Sequence, residues 1–578
     1  MQRRVVMWTA VLLGLSMFVD NRANSATPET RCLSVSGKVG GRCLDQYTAE
    51  IEKCRNKTDT TCEAAARVED GPLDQYLALT EDPILGSCTE ETADSLGYTG
   101  IDDVAFRIPE ACTDFAEDLL AIEFADDLTS LSPQETRCQR CVSARLRRLR
   151  KTVVRQFGPD CFVRQFAGRS CDPTRRDSRV DKKRARIHHQ ILGRCGSDFD
   201  ALGLSTLGPE STVEERIDEL LERVIDRSRH YAQRVYPPNN LGPTAEIGPY
   251  PIGLTTLHLT DPARLNVPET GPRPVTTEVY YPSTVEAVDG VPEEIVKILG
   301  IPIVQVPAFR DVDLAAGTFP LVLFSHGNGG TRIQSFFFAA HLASHGFIVV
   351  SPDHHGNTFA DELFGIVDPL SAINRPLDMS FLIDEFLSFN AEPGNFFEGT
   401  IEPSRIGLSG HSFGGYTSFA LAGGSFLLGT FTDTRVKAIF PQAPAATAFP
   451  EDFFSTITIP TLIVGGSIDE TTPFPGHQQY PFDNLPSGAA VVGLAQLTGA
   501  GHFTFSDFCE VPREILAFMG GFEEACEPRH LPWRHAQDIV KYLSLSFFDG
   551  VLNDNSEALA RLAPANLAAI EDLVYQSK

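Results

Sequence analysis

A chain of 578 residues exceeds what one ordinary hydrophobic core holds, so two or three folded units are expected. With 42% hydrophobic and 22% charged residues, its composition is globular rather than disordered. The formal net charge of −27 argues against nucleic acid as a general partner.

The first 26 residues read as a signal peptide. Arg3 and Arg4 precede the apolar run "VVMWTAVLLGLSMFV", and small residues follow in "NRANSA", with a cleavage zone between about Ala23 and Ala26. The run is short for a membrane span of roughly 20 residues, which disfavours an uncleaved anchor. Cys32 lies beyond "TPETR", so no lipid-anchor cysteine directly follows the signal. The expectation is a secreted or periplasmic protein. Eleven of the 13 cysteines lie between Cys32 and Cys195, and the other two are Cys509 and Cys526. In an exported chain such clustering reads as disulfide bonding, and the odd total leaves a thiol unpaired.

Residues 27–210 show no alternation of strands and helices. Segments such as "ACTDFAEDLLAIEFADDL" and "VSARLRRLRKTVVRQF" repeat apolar residues at helical spacing, predicting a mostly helical, cysteine-rich unit. Cys138 and Cys141 form a lone C-x-x-C without a second pair, which favours disulfide bonding over zinc or redox chemistry. The stretch 137–188 carries 17 Lys and Arg against 4 Asp. A solvated or internally paired face is the favoured reading. An anion-binding surface, in peripheral contact with lipid headgroups or envelope polymers, is the sharper one. A long helix, "TVEERIDELLERVIDRSRHYAQRV", and a Pro/Gly-rich linker fill 211–244.

From residue 245 the texture changes. Short apolar runs, "FPLVLFSHG", "GFIVVSPDHH", "RIGLSG", "VKAIFPQ" and "PTLIVGGSID", alternate with helical patterns. That alternation predicts an α/β unit over 245–550, with a mostly parallel central sheet and helices on both faces. Residues 551–578 are expected to form a helical tail.

The chemistry gathers at "RIGLSGHSFGGY". Gly410-His411-Ser412-Phe413-Gly414 is a G-x-S-x-G after a strand and before a helix, the setting of a nucleophile elbow. Its tight turn would lift the Ser412 hydroxyl above the sheet edge. A serine needs a base, and His502 in "LTGAGHFTF" lies after the last predicted strand. The base needs a carboxylate, and Asp469 in "GGSIDETTP" follows a strand between the two. Glu470 is the reserve acid. The order Ser412, Asp469, His502 is that of an α/β-hydrolase. The oxyanion would meet the amides of Phe413 and of Asn328, the latter in the Gly-rich loop "FSHGNGG". His411 and Asp378 read as structural. His326, His354 and His355 lack metal-ligand spacing and read as lining or supporting the site. No metal and no cofactor is expected.

Together "LVLFSHGNGG", "LASHGFIVVSPDHHGNT", "RPLDMSFLIDEF", "GLSGHSFGGYTSFALAG" and "GAGHFTFSDFC" resemble the platelet-activating factor acetylhydrolase family and its dienelactone-hydrolase-like and polyester-hydrolase-like relatives. The resemblance covers roughly residues 245–550. It implies the α/β-hydrolase fold, Ser412 as nucleophile, Asp469 as acid, His502 as base, and oxyanion amides at Asn328 and Phe413. It also implies short acyl, acetyl-type or phospholipid-derived esters, with polyesters or longer lipids as the rival substrates. A dienelactone hydrolase proper uses cysteine where this chain has Ser412. The segment "EAVDGVPEEIVKILGIPIVQVPAFRDVDLAAG" reads as an insertion before the third strand. A Cys509–Cys526 bridge would close the loop that follows the base. The reading from another class is a surface-binding protein with a vestigial hydrolase domain.

Overall fold

The computed structural model describes residues 28–578 apart from 56–59, 68–71, 74–76, 78–80, 90–100, 126–127, 159–172, 209, 236–240, 242–243, 299–300, 512–525 and 528. The signal segment lies outside the described residues. The chain divides into two compact units, Met1–Pro237 and Pro238–Lys578.

Every secondary-structure element described in the first unit is a helix. Its long helices are Pro28–Arg55, Ile101–Glu123, Pro133–Phe157, Pro173–Cys195 and Val213–Val235. Helix Pro133–Phe157 shows why. Ser132 and Glu135 form a reciprocal capping box and Pro133 takes the first turn. Cys138, Val142, Leu146, Leu149 and Val153 then recur every three to four residues and are all buried. Helix Val213–Val235, which the sequence set apart from the cysteine-rich segment, buries Ile217, Leu220, Leu221 and Val224 in the same core. Disulfides join Cys32–Cys88, Cys43–Cys112, Cys54–Cys62 and Cys138–Cys195. Cys138 therefore does not pair with its C-x-x-C neighbour, and Cys141 is a free thiol. Within the basic stretch Arg147 pairs with Glu52 at 3.4 Å, Lys151 with Asp45 at 2.8 Å, and Arg184 with Glu222 at 2.8 Å. Arg150 is buried between Glu52 and Glu123.

The second unit is α/β. We number its sheet strands β1 (Ile252–Leu265), β2 (Pro272–Pro282), β3 (Glu293–Ile298), β4 (Ile301–Arg310), β5 (Phe319–Ser325), β6 (Ile348–Pro352), β7 (Ile401–His411), β8 (Val436–Gln442), β9 (Thr461–Gly466), β10 (Val492–Leu497) and β11 (Leu573–Ser577). Their order across the sheet is β11-β10-β9-β8-β7-β5-β6-β2-β1-β4-β3. The six strands from β10 to β6 run parallel. Both flanks are antiparallel, at β2 against β6 and at β11 against β10. The sheet is therefore mixed rather than uniformly parallel. The inserted segment forms the β3–β4 hairpin at one edge, with β4 joining β1 in parallel. The expected helical tail is also corrected. After two short helices the chain ends in β11, whose residues pair one for one with β10.

Strand period two divides the core into two layers. Val322, Phe324, Val349 and Phe440 face helices Phe336–Ser344 and Trp533–Leu552. Leu321, Leu323, Val350 and Leu408 face helices Ser371–Ala391 and Phe413–Ala422 on the other side. Near-continuous apolar strands follow from this double burial. The loops after β5, β7, β9 and β10, at the carboxyl ends of parallel strands, carry the residues singled out by sequence.

Candidate active site

Ser412 joins β7 to helix Phe413–Ala422 with φ 57° and ψ −113°. Positive φ is costly for a non-glycine residue, on the order of 1–3 kcal/mol, and must be imposed by its surroundings. The surroundings here are close. A Cβ on Gly410 would sit 2.5 Å from the Gly414 main chain, and a Cβ on Gly414 would sit 1.8 Å from the Ser325 oxygen. Both positions therefore require glycine. The Ser412 amide donates to the Gln442 oxygen at 2.9 Å, and its own oxygen accepts from Gly415 and Ala445. The turn is thereby pinned to β8. Ser412 precedes the first turn of a ten-residue helix, whose amino end favours negative charge.

His502 and Asp469 meet in space. His502 Nδ1 lies 2.8 Å from Asp469 Oδ2, and both side chains are buried. The carboxylate fixes the proton on Nδ1 and leaves Nε2 as the basic nitrogen. Asp469 Oδ1 accepts from the amides of Thr471 at 2.9 Å and Thr472 at 2.7 Å. Burial pushes the Asp469 carboxyl up, but the hydrogen bonds from His502 and Thr472 outweigh it and hold the group below the usual range. Glu470 is exposed, while Asp469 is the acid bonded to His502. No hydrogen bond joins the Ser412 hydroxyl to His502 among the described residues. Contacts of this kind commonly tighten only when substrate binds.

The Gly-rich loop after β5 lies against the elbow. A Cβ on Gly327 would come 3.4 Å from the Ser412 Cβ. Among the described residues the main-chain N–H groups of Asn328 and Phe413 donate to no acceptor. The Asn328 side chain is occupied elsewhere. Its Oδ1 accepts from Asn357 at 2.8 Å and its Nδ2 donates to Glu362 at 3.3 Å.

The expected supporting histidines lie beneath this loop. His326 and His354 are fully buried. His354 Nδ1 meets Asp378 Oδ2 at 2.9 Å, and its Nε2 meets the Ser325 hydroxyl at 2.8 Å. Asp378 is held by Arg273 through both oxygens, at 2.8 and 3.0 Å. Burial pushes Asp378 up, but its bonds to His354 and Arg273 prevail and hold it far below the carboxylate range. His355 stands apart, with its ring against the Val267 main chain. Cys509 and Cys526 are bonded to each other. Among the described residues no group of three His, Cys, Asp or Glu is arranged to hold a metal.

Three participants escaped the sequence. Thr472 Oγ1 sits 2.8 Å from Asp469 Oδ2 and 3.1 Å from His502 Nδ1. Gln334 accepts from the Gly327 amide at 2.9 Å and donates to His411 Nδ1 at 2.8 Å. Arg375, on the buried face of helix Ser371–Ala391, bonds the loop after β5. Only Arg375 had a visible signal, because a buried-looking helix rarely spends an arginine without a partner.

Comparison with known proteins fits this geometry. A family model described as Chlorophyllase matches residues 309–439, which include Asn328, Ser412 and Phe413 and stop before Asp469. Cutinase 1 of Thermobifida cellulosilytica is 26% identical over 200 residues, covering 34% of this chain and 64% of that protein. A cutinase of Thermobifida fusca (strain YX) is 26% identical over 200 residues, covering 34% of this chain and 56% of that protein. Chlorophyllase-1, chloroplastic, of Citrus unshiu is 27% identical over 271 residues, covering 44% of this chain and 77% of that protein. The chain thus spans less than two thirds of the length of these two cutinases. The matches support an esterase of the α/β-hydrolase superfamily.

Proposed function

We propose that the protein is an exported serine carboxylic-ester hydrolase of the α/β-hydrolase fold. The observation that carries the reading is the strained Ser412 turn, combined with a buried His502–Asp469 pair on neighbouring loops. Ser412 Oγ attacks the acyl carbonyl while His502 Nε2 takes its proton. Asp469 stabilises the imidazolium through Nδ1. The amides of Asn328 and Phe413 receive the oxyanion. His502 then protonates the leaving alcohol, and water, activated by the same nitrogen, releases the acid. Export is supported by five disulfides among the described residues, since such bonds persist in oxidising compartments.

The family resemblance favours short acyl or phospholipid-derived esters. A polyester-type substrate is favoured by the cutinase relatives and by one observation. Leu363, Phe364, Val367 and Leu370 are exposed just beyond Glu362, which holds the Asn328 side chain. A p-nitrophenyl ester series from acetate to palmitate, with a polyester film alongside, tests both. Activity lost in Ser412→Ala supports the mechanism. A preference for acetate favours the acetylhydrolase-like substrate, whereas long chains or film release favour the other. No turnover of any ester by folded, disulfide-bonded protein would overturn the reading in favour of a surface-binding protein.

A further inference from the structure

The loop after β5 must hold the Asn328 amide in place without that amide having a partner of its own. The peptide unit that carries it is Gly327–Asn328, and the two ends of a trans peptide point in opposite directions. Whatever fixes the Gly327 carbonyl therefore aims the Asn328 N–H. That carbonyl meets His326 Nδ1 at 2.7 Å, Arg375 Nη2 at 2.9 Å and the Gly330 amide at 3.1 Å. His326 Nε2 accepts from the His354 amide at 3.1 Å, which leaves the ring proton on Nδ1, facing the carbonyl. All three groups are thus donors to one oxygen.

Arg375 reaches further than the other two. It is fully buried, and its Nη1 donates to the His326 carbonyl at 2.5 Å. Its Nε donates to Asn357 Oδ1 at 2.8 Å, and Asn357 in turn donates to the Asn328 side chain at 2.8 Å. On its other side the guanidinium carbon lies 4.5 Å from the centre of the Phe413 ring. One side chain therefore contacts the peptide that presents the first candidate oxyanion amide and the residue that presents the second. Burial depresses the guanidinium to about 9, which leaves it charged at neutral pH. The Ser325–His354–Asp378 chain has the connectivity of a catalytic triad, but all three side chains are fully buried. Its Ser325 hydroxyl accepts from Arg375 Nη1 at 3.3 Å.

We infer that Arg375 is a positioning residue of the oxyanion hole. Its planar fork locks the Gly327 carbonyl and the Phe413 ring against each other, so that the amides of Asn328 and Phe413 converge on one point. The guanidinium also places a fixed positive charge behind that point, where negative charge develops in the transition state. The buried Ser325–His354–Asp378 chain serves as its scaffold rather than as a second reaction centre.

This inference rests on the hydrolase reading, and the experiment separates the two. The full chain, Arg375→Met, Arg375→Lys and Ser412→Ala would be assayed for kcat and KM on a soluble ester. Inhibition by an aryl boronic acid, which forms a tetrahedral adduct with an active serine, would be measured on the active fraction. Arg375→Met should lower kcat on the order of 10²-fold with little change in KM, and weaken the boronate by a similar factor. Arg375→Lys should recover part of both, since it keeps the charge but not the fork. If Arg375→Met does not fold, Asn357→Ala cuts a single link and should show the same parallel loss at about tenfold. Boronate affinity and kcat within twofold of wild type in these variants, with Ser412→Ala inactive, would overturn the inference alone. Full activity in Ser412→Ala would overturn the hydrolase reading and this inference with it.

Discussion

His411 donates its Nε2 hydrogen to the main-chain oxygen of His502 across 2.9 Å. The proton's position follows from its neighbours. Gln334 receives the Gly327 amide on its oxygen, so its nitrogen faces His411 Nδ1 as a donor. Burial pushes the His411 imidazole down to about 3, so it stays neutral. The residue beside the candidate nucleophile therefore tethers the loop of the candidate base. His411→Leu should reduce kcat on the order of tenfold to a hundredfold, because a misplaced base costs rate without costing binding. Steady-state kinetics that gave a kcat within twofold of wild type would count against that tether.

Asp469 and Glu470 provide a paired test. Asp469→Asn should lower kcat by about 10³–10⁴-fold, since the amide cannot hold His502 in the required tautomer. Glu470→Gln should change kcat by less than twofold, because this side chain is exposed and His502 is bonded to Asp469. The same ester assay reads both, and equal losses would point to a different acid.

The elbow glycines make a stability prediction. Gly414→Ala drives a methyl group into the Ser325 carbonyl and should cost more than about 3 kcal/mol or prevent folding. Gly488→Ala meets nothing within 4 Å and should shift stability by less than about 0.5 kcal/mol. Thermal denaturation of the two variants side by side checks the contrast.

Stability should fall with acid well above the carboxylate range. Burial holds His354 down at about 4 and His411 at about 3, and pushes His326 and His341 well below the ordinary value. An unfolded imidazole titrates near pH 6.5, roughly, so below that pH the unfolded chain binds protons that the native chain refuses. Each such histidine removes roughly 1.4 kcal/mol per pH unit between about pH 6.5 and its native value. His535 is raised instead: burial pushes it down, but the Asp572 carboxylate beside it prevails. Its contribution is complete below about pH 6.5 and fades only as pH rises above that, so it adds no slope in the acid window where the four act. A melting temperature that stayed constant from pH 7 to pH 4.5 would contradict this balance.

The exposed apolar residues Leu363, Phe364, Val367 and Leu370 should separate soluble from interfacial substrates. Phe364 is 70% exposed, close in sequence to Glu362, which bonds Asn328. Phe364→Asp should leave hydrolysis of a soluble acetate ester within twofold and lower release from a film or long-chain emulsion several-fold. Equal effects on both substrates would remove these residues from the account.

What sequence could reveal follows from the range of each interaction. Ser412, Asp469 and His502 each sit in a local signature of strand, turn and small residues, and the geometry brings the last two together. Thr472 lies only three residues from Asp469, yet "DETT" carries no sign of which hydroxyl turns inward. Gln334 bonds His411 across 77 residues, and Arg375 bonds Gly327 across 48. Such roles exist only after the chain has folded. Strand direction at the sheet flanks is hidden for a related reason. β1 and β2 pair antiparallel, and that pairing is set by the short connection between Leu265 and Pro272. β11 is five residues long and follows helical patterns, so its pairing partner decides its state.

Covalent cross-links are distributed unevenly along the chain. Among the described residues four disulfides staple the helical unit, and one, beyond His502, staples the α/β unit. The broad two-layered core of the α/β unit supplies cohesion that a smaller helical unit must obtain from sulfur. A reducing environment would therefore act on the two halves differently. The helical unit would loosen and become open to proteases first, while the sheet outlasted it. Two separate lifetimes would be written into a single polypeptide.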